Sequence, residues 1–136
     1  MQVFPHLGFN GNCEEAFRFY QRALGGEITA MMKWGGSPMA QAVGAEWHDK
    51  IMHACLRTPG ARIIGGDAPH GRYQKPAGFE VSVSVETGEE ADRVFAALSD
   101  GATVTMAMQE TFFAHRFGML TDRFGIPWMV LSEKTP

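Results

Sequence analysis

The chain is poor in cysteine, in long apolar runs and in clustered positive charge. Its two cysteines, Cys13 and Cys55, lie far apart and outside any CxxC spacing. This excludes a disulfide framework and a thiolate zinc site, and leaves two reduced, mostly buried thiols as the expectation. No apolar stretch approaches the roughly 18 residues that a membrane-spanning helix needs. The opening MQVFPHLGFNGN has neither the basic nor the apolar segment of a secretory signal, so a cytoplasmic protein is expected. Lysine and arginine total 12 against 15 aspartates and glutamates, a net charge of −3 with no basic block. Neither nucleic acid nor an anionic membrane surface is therefore expected as a partner. A G-x-G-x-x-G loop is also missing, and with it the phosphate cradle of a doubly wound nucleotide-binding fold.

What is present reads as a globular chain. Apolar residues make up 45% and charged residues 20% of 136 positions, a length that suits one domain spanning 1–136. Nine methionines are the unusual component. Methionine is a flexible, polarizable side chain that fills gaps in cores and at adaptable binding surfaces.

A weak internal repeat organises the sequence. Each half opens with an apolar run, 3–9 (VFPHLGF) and 78–85 (GFEVSVSV). Each run is followed by a helix-start signal, Asn12 with Glu15 and Thr87 with Glu90, the spacing of a capping box. In 13–24 the residues Cys13, Ala16, Phe17, Tyr20, Ala23 and Leu24 recur at helical spacing, and in 88–99 so do Ala91, Val94, Phe95 and Leu98. Gly25 and Gly101 then suit helix termini. Three strands are predicted after each helix, over 27–34, 50–56 and 61–67, and over 103–109, 115–122 and 128–133. Each half is thus a βαβββ module, module one over about 1–70 and module two over about 77–136, by the length and patterning rules for such units. The fold class is α+β.

Alternation in 79–85 places Phe79, Val81, Val83 and Val85 on one side and Glu80, Ser82 and Ser84 on the other. A helix covering the valine side leaves Glu80, Ser82 and Ser84 on the concave side, which suggests a cup. Two long loops, 35–49 and 68–77, have the composition of lids or interface arms, and Trp47 and Met39 suit an interface core.

The stretches FNGNCEEAFRFYQRALGGEI (9–28), IMHACL (51–56), GGDAP (65–69) and RFGMLTDRFGIPWMV (116–130) resemble the PhnB-like branch of the vicinal oxygen chelate superfamily. That superfamily includes glyoxalase I, bleomycin-resistance proteins and extradiol dioxygenases. The resemblance implies paired βαβββ modules forming a cup-shaped mixed sheet, a small molecule as partner, and a homodimer. Some relatives carry a 3-demethylubiquinone-9 3-methyltransferase label, but the missing glycine-rich loop and the short chain speak against methyl transfer.

Metal-using members of the superfamily place His and Glu ligands on the first and last strands of their modules. Glu80, five residues before Val85, stands at one such position, whereas His6 lies about two residues beyond another, near Phe4, by a residue-by-residue match of ligand types. The last-strand glutamate falls four residues after the turn glycine Gly125, where this chain has Met129. A thioether is a poor ligand for hard divalent ions, so no complete metal site is expected, and Glu80 and His6 are the donors if a divalent metal binds.

Three functional readings follow. In the first, the cup binds a hydrophobic or aromatic small molecule without metal, through Asp67, Phe113, Met119, Trp128 and Met129, with Phe112, Phe117, Met106 and Met108 as further lining and Gln109, His115 and Arg116 at its mouth. In the second, a metal-dependent lyase, isomerase or dioxygenase-type enzyme uses Glu80 for proton transfer, assisted by His6 or His53, with Asp67 converging on the same cavity. In the third, the cup is filled by its own side chains and the protein is a non-catalytic interaction module.

Overall fold

The structure is a computed structural model and describes residues 1–69 and 71–135. The chain divides into two compact units, Met1–Lys75 and Pro76–Pro136. Unit one holds β1 (His6–Phe9), α1 (Cys13–Leu24), β2 (Glu27–Lys33), β3 (Ile51–Thr58) and β4 (Ala61–Asp67). Unit two holds β5 (Val81–Ser84), α2 (Gly88–Leu98), β6 (Thr103–Gln109), β7 (Ala114–Thr121) and β8 (Pro127–Glu133). The sheet orders are β1-β4-β3-β2 and β5-β8-β7-β6, so the two units share one topology. In each, the first strand runs parallel to the last and the other neighbours are antiparallel. This is the α+β, twin βαβββ arrangement expected from the repeat.

Each helix covers one face of its own sheet. In unit one, Phe17 and Tyr20 of α1 pack their rings against Phe9 of β1. Phe17 lies so close to β4 that a Cβ on Gly65 would come within 2.8 Å of its ring, which requires glycine there. Full burial of such a phenylalanine stabilises the unit by roughly 1.5–3 kcal/mol. In unit two the buried side of α2 is Ala91, Val94, Phe95 and Leu98, as the spacing predicts.

The helix starts differ from the expectation in one case. Thr87 caps α2 as predicted, its Oγ1 accepting from the Glu90 N–H at 3.1 Å. Asn12 makes no side-chain capping bond to α1. Asp67, at the far end of β4, replaces it: the N–H groups of Gly11 and Cys13 donate to Oδ1 at 2.9 and 3.0 Å. A carboxylate there also answers the positive end of the helix dipole.

One further expectation is corrected. The run 78–85 pairs only over Val81–Ser84, so Phe79 and Glu80 precede the strand; Phe79 is 43% exposed and Glu80 is exposed, not interior. Val81 pairs with Trp128, so the residue before it meets Pro127, which has no N–H to donate. The base of the 35–49 segment is closed by backbone hydrogen bonds within unit one. The Trp34 and Gly35 N–H groups donate to the Lys50 and His48 carbonyls at 2.9 Å each, and two short 3-10 turns, Ala40–Ala42 and Ala45–Trp47, fill the span. Trp47 is half-buried and Met39 exposed. In the 68–77 loop, His70 lies outside the described residues.

Candidate functional site

In unit two, strand register sorts the candidate residues by face. Partners across neighbouring strands share a side, and successive residues alternate. The side opposite α2 carries one row of Ser82, Met129, Met119 and Met106 across β5, β8, β7 and β6. The next row is Ser84, Leu131, Phe117 and Gln109. Three thioethers are therefore neighbours on three adjacent strands. Met119 and Met129 pack against a small buried cluster of Ala114, Phe117 and Leu131. Phe113 extends the surface, with its ring 5.2 Å from those of Phe117 and Phe112. Met106, Phe112 and Phe113 remain exposed. The result is an apolar, deformable face with serine hydroxyls along one edge.

Trp128 does not belong to it. It alternates with Met129 and lies on the α2 side, fully buried, with its Nε1–H donating to Asp122 Oδ2 at 2.7 Å. The other Asp122 oxygen accepts from the Phe124 and Ile126 N–H groups at 2.8 and 3.0 Å. This aspartate ties the β7–β8 turn to the core. Arg116 is also engaged elsewhere: its Nε–H donates to Asp92 Oδ1 of α2 at 2.8 Å. Gln109 and His115 are exposed. Glu80 stands ahead of β5, in the same alternation as Ser82 and Ser84.

In unit one the side opposite α1 is mixed, two histidines standing among apolar residues and glycines. Its first row is His6, Ile64, Cys55 and Ala30; the next contains Gly8 beside Gly66, and His53 beside Met32. His6 is exposed and His53 half-buried, on β1 and β3 with β4 between them. These two histidines share a face, while Asp67 does not share it. Asp67 pairs with Phe9 on the helix side and is 3% exposed. Beyond its cap to α1, its Oδ2 accepts from the Ile51 N–H at 2.8 Å. A carboxylate saturated by three backbone donors holds the unit together and is not a turn acid beside Pro69. Cys13, next to it, is a buried thiol whose pKa is pushed well up by desolvation, and then by the negative charges of Asp67 and Glu14. It is an inert core thiol at neutral pH.

Among the described residues, no three His, Cys, Asp or Glu side chains group where they could hold a metal ion. Met129 offers sulfur, a poor ligand for a hard divalent ion. Sequence reasoning passed over Arg57 and Arg62. Their placement on either side of Pro59-Gly60 already implied a cross-strand pair.

The family described as 3-demethylubiquinone-9 3-methyltransferase matches residues 1–131. Protein YjdN of Escherichia coli is 37% identical, over 96% of this chain and 94% of its own. The crystal structure of PA1353 from Pseudomonas aeruginosa superposes with a TM-score of 0.88 at 43% identity, covering 99% of each chain. The PhnB protein from Bacillus cereus gives a TM-score of 0.77 at 25% identity, over 97% and 99%. A glyoxylase/bleomycin resistance protein/dioxygenase domain from Frankia shares the fold alone, with a TM-score of 0.66 at 17% identity over 98% and 95%.

Proposed function

The chain belongs to the family described as 3-demethylubiquinone-9 3-methyltransferase, the PhnB-like branch of the glyoxalase/bleomycin resistance/dioxygenase superfamily, and on that premise we propose that it binds a small apolar or aromatic molecule on the methionine face of unit two. The row Ser82, Met129, Met119 and Met106 is the observation that carries this reading. Thioethers adapt to ligand shape and make favourable contacts with aromatic rings, each worth about 0.3–1.5 kcal/mol. Phe113 and Phe117 add ring faces for stacking. The serine hydroxyls at the β5 edge orient a polar substituent. Methyl transfer is no part of the reading, since neither four-stranded sheet is a doubly wound parallel sheet.

The enzyme reading, with Glu80 as proton carrier and His6 or His53 assisting, has weaker support. Glu80 is exposed and lies outside the strand, and no metal-ligating trio accompanies it. Each sheet ends on unpaired strands and the methionine face is exposed in part, so the reading includes a homodimer. The free thiols suit a reducing compartment, and the cytoplasm is the proposed location.

Methyl NMR on labelled methionine tests the binding reading. Titration with an aromatic probe such as naphthalene-sulfonate is expected to shift Met106, Met119 and Met129 saturably while leaving Met52 unmoved. Met119→Asp and Met129→Asp should each abolish it. Probe binding that is unchanged in both variants would overturn the reading.

A further inference from the structure

The β3–β4 hairpin of unit one carries two arginines in an unusual relation. Arg57 and Arg62 are register partners, directly opposite on adjacent strands. Like charges so placed repel and destabilise a sheet. Neither guanidinium has a carboxylate or hydrogen-bond partner among the described residues. Glu27 is the next residue in the row, beyond Arg57, but forms no ion pair with it.

The pair is held in place. The strands are joined by the two-residue turn Pro59-Gly60, where Gly60 has φ +84° and Pro59 fixes the preceding bend. The Arg62 guanidinium lies over the Phe4 ring, 4.7 Å from its centroid. Stacking fixes the plane of the guanidinium and leaves its N–H edge free to donate. Arg57, Arg62 and Phe4 line an open hollow of about 410 Å³, with Gln2, Thr58 and Gly60. Thr58 adds a hydroxyl and Gln2 an amide to the same wall. Two unanswered cations side by side, one pre-oriented, around a space of small-molecule size, are the chemistry of oxyanion recognition.

We propose that this hollow is an oxyanion site in which Arg57 and Arg62 jointly hold a phosphate group, either free in solution or carried by a small molecule. The bound dianion relieves the repulsion between the two arginines. The site is independent of the methionine-face reading, because it lies wholly in unit one.

The test uses the full chain. Inorganic phosphate is titrated against chloride at constant ionic strength, while the Nε–Hε signals of all arginines are followed by NMR. Saturable shifts confined to Arg57 and Arg62 are expected. Arg57→Gln and Arg62→Gln should each weaken binding roughly tenfold, the size of a lost charge-assisted contact. Glu27→Gln should strengthen it a few-fold by removing the carboxylate opposite Arg57 on β2. R57K/R62K keeps the charge but loses the planar fork, and is expected to bind less tightly than the parent. Phenyl phosphate and benzoate separate the sources: tighter binding of phenyl phosphate than of phosphate assigns a carried group, equal binding assigns the free anion, and preference for benzoate overturns the phosphate assignment. Shifts that grow linearly without saturating, or saturable binding that survives R57Q/R62Q, would overturn the site.

Discussion

The two units share strand order and helix placement, yet the sheet faces turned away from their own helices differ in chemistry. Unit one carries Phe4, His6, His53, Arg57 and Arg62 among Ile64, Cys55, Ala30 and Met32, a mixed surface with basic and hydrogen-bonding groups. Unit two presents Met106, Met119, Met129, Phe113 and Phe117, a soft apolar one. The helix-covered faces have not diverged in this way: Phe9 with Phe17 in one and Val94 and Phe95 in the other do the same packing work. Burial constrains one side of each sheet to interchangeable apolar residues, and leaves the other side free to specialise.

The buried aspartates carry the same contrast into the framework. Asp67 joins a helix start, a strand start and a strand end, whereas Asp122 joins a single turn to a core tryptophan. Asp67→Ala strands three backbone donors and is expected to cost at least about 3 kcal/mol, with Asp67→Asn costing less because one acceptor oxygen remains. Asp122→Ala should cost a similar amount. Urea denaturation of the pair checks this, and a small loss for Asp67 beside a large one for Asp122 would break the equivalence.

A second contrast lies within one strand. Trp128→Ala is expected to cost about 3–5 kcal/mol, as for a large buried side chain, while Met129→Ala should cost about 1 kcal/mol and instead weaken probe binding. Equal losses of stability would erase the distinction between core and face. The smallest effects concern the helix caps. Thr87→Ala should cost about 1 kcal/mol, and Asn12→Ala less than about 0.5 kcal/mol, because only the threonine makes the capping bond. Thermal melts resolve the pair, and a costly Asn12→Ala would mean that Asp67 does not cap alone.

Element positions were largely legible in the sequence, because both repeats obey the two periods that burial imposes. The helix over 13–24 and the strands over 61–67 and 103–109 match the structure at both ends. Glu80 falls just outside the paired strand, because alternation shows which way residues would point, not whether a neighbour can pair with them. Trp128 was grouped with Met129 by composition, although adjacent strand residues must face apart. Asp67 and the Arg57–Arg62 pair act through chain segments brought together only by folding. A capping box is a local pattern, and Asp67 performs its task from 54 residues away.

That distance has a kinetic consequence. The cap of α2 forms within three residues, so the second helix can complete its first turn as soon as it nucleates. The first helix has no such local help. The Cys13 N–H gains its carboxylate acceptor only once β4 has docked and the long intervening loop has closed, a step whose entropic cost must be met before any contact repays it. Unit one is therefore expected to complete its helix start and its sheet together, while unit two can build its helix first, an order that pulsed hydrogen exchange during refolding checks.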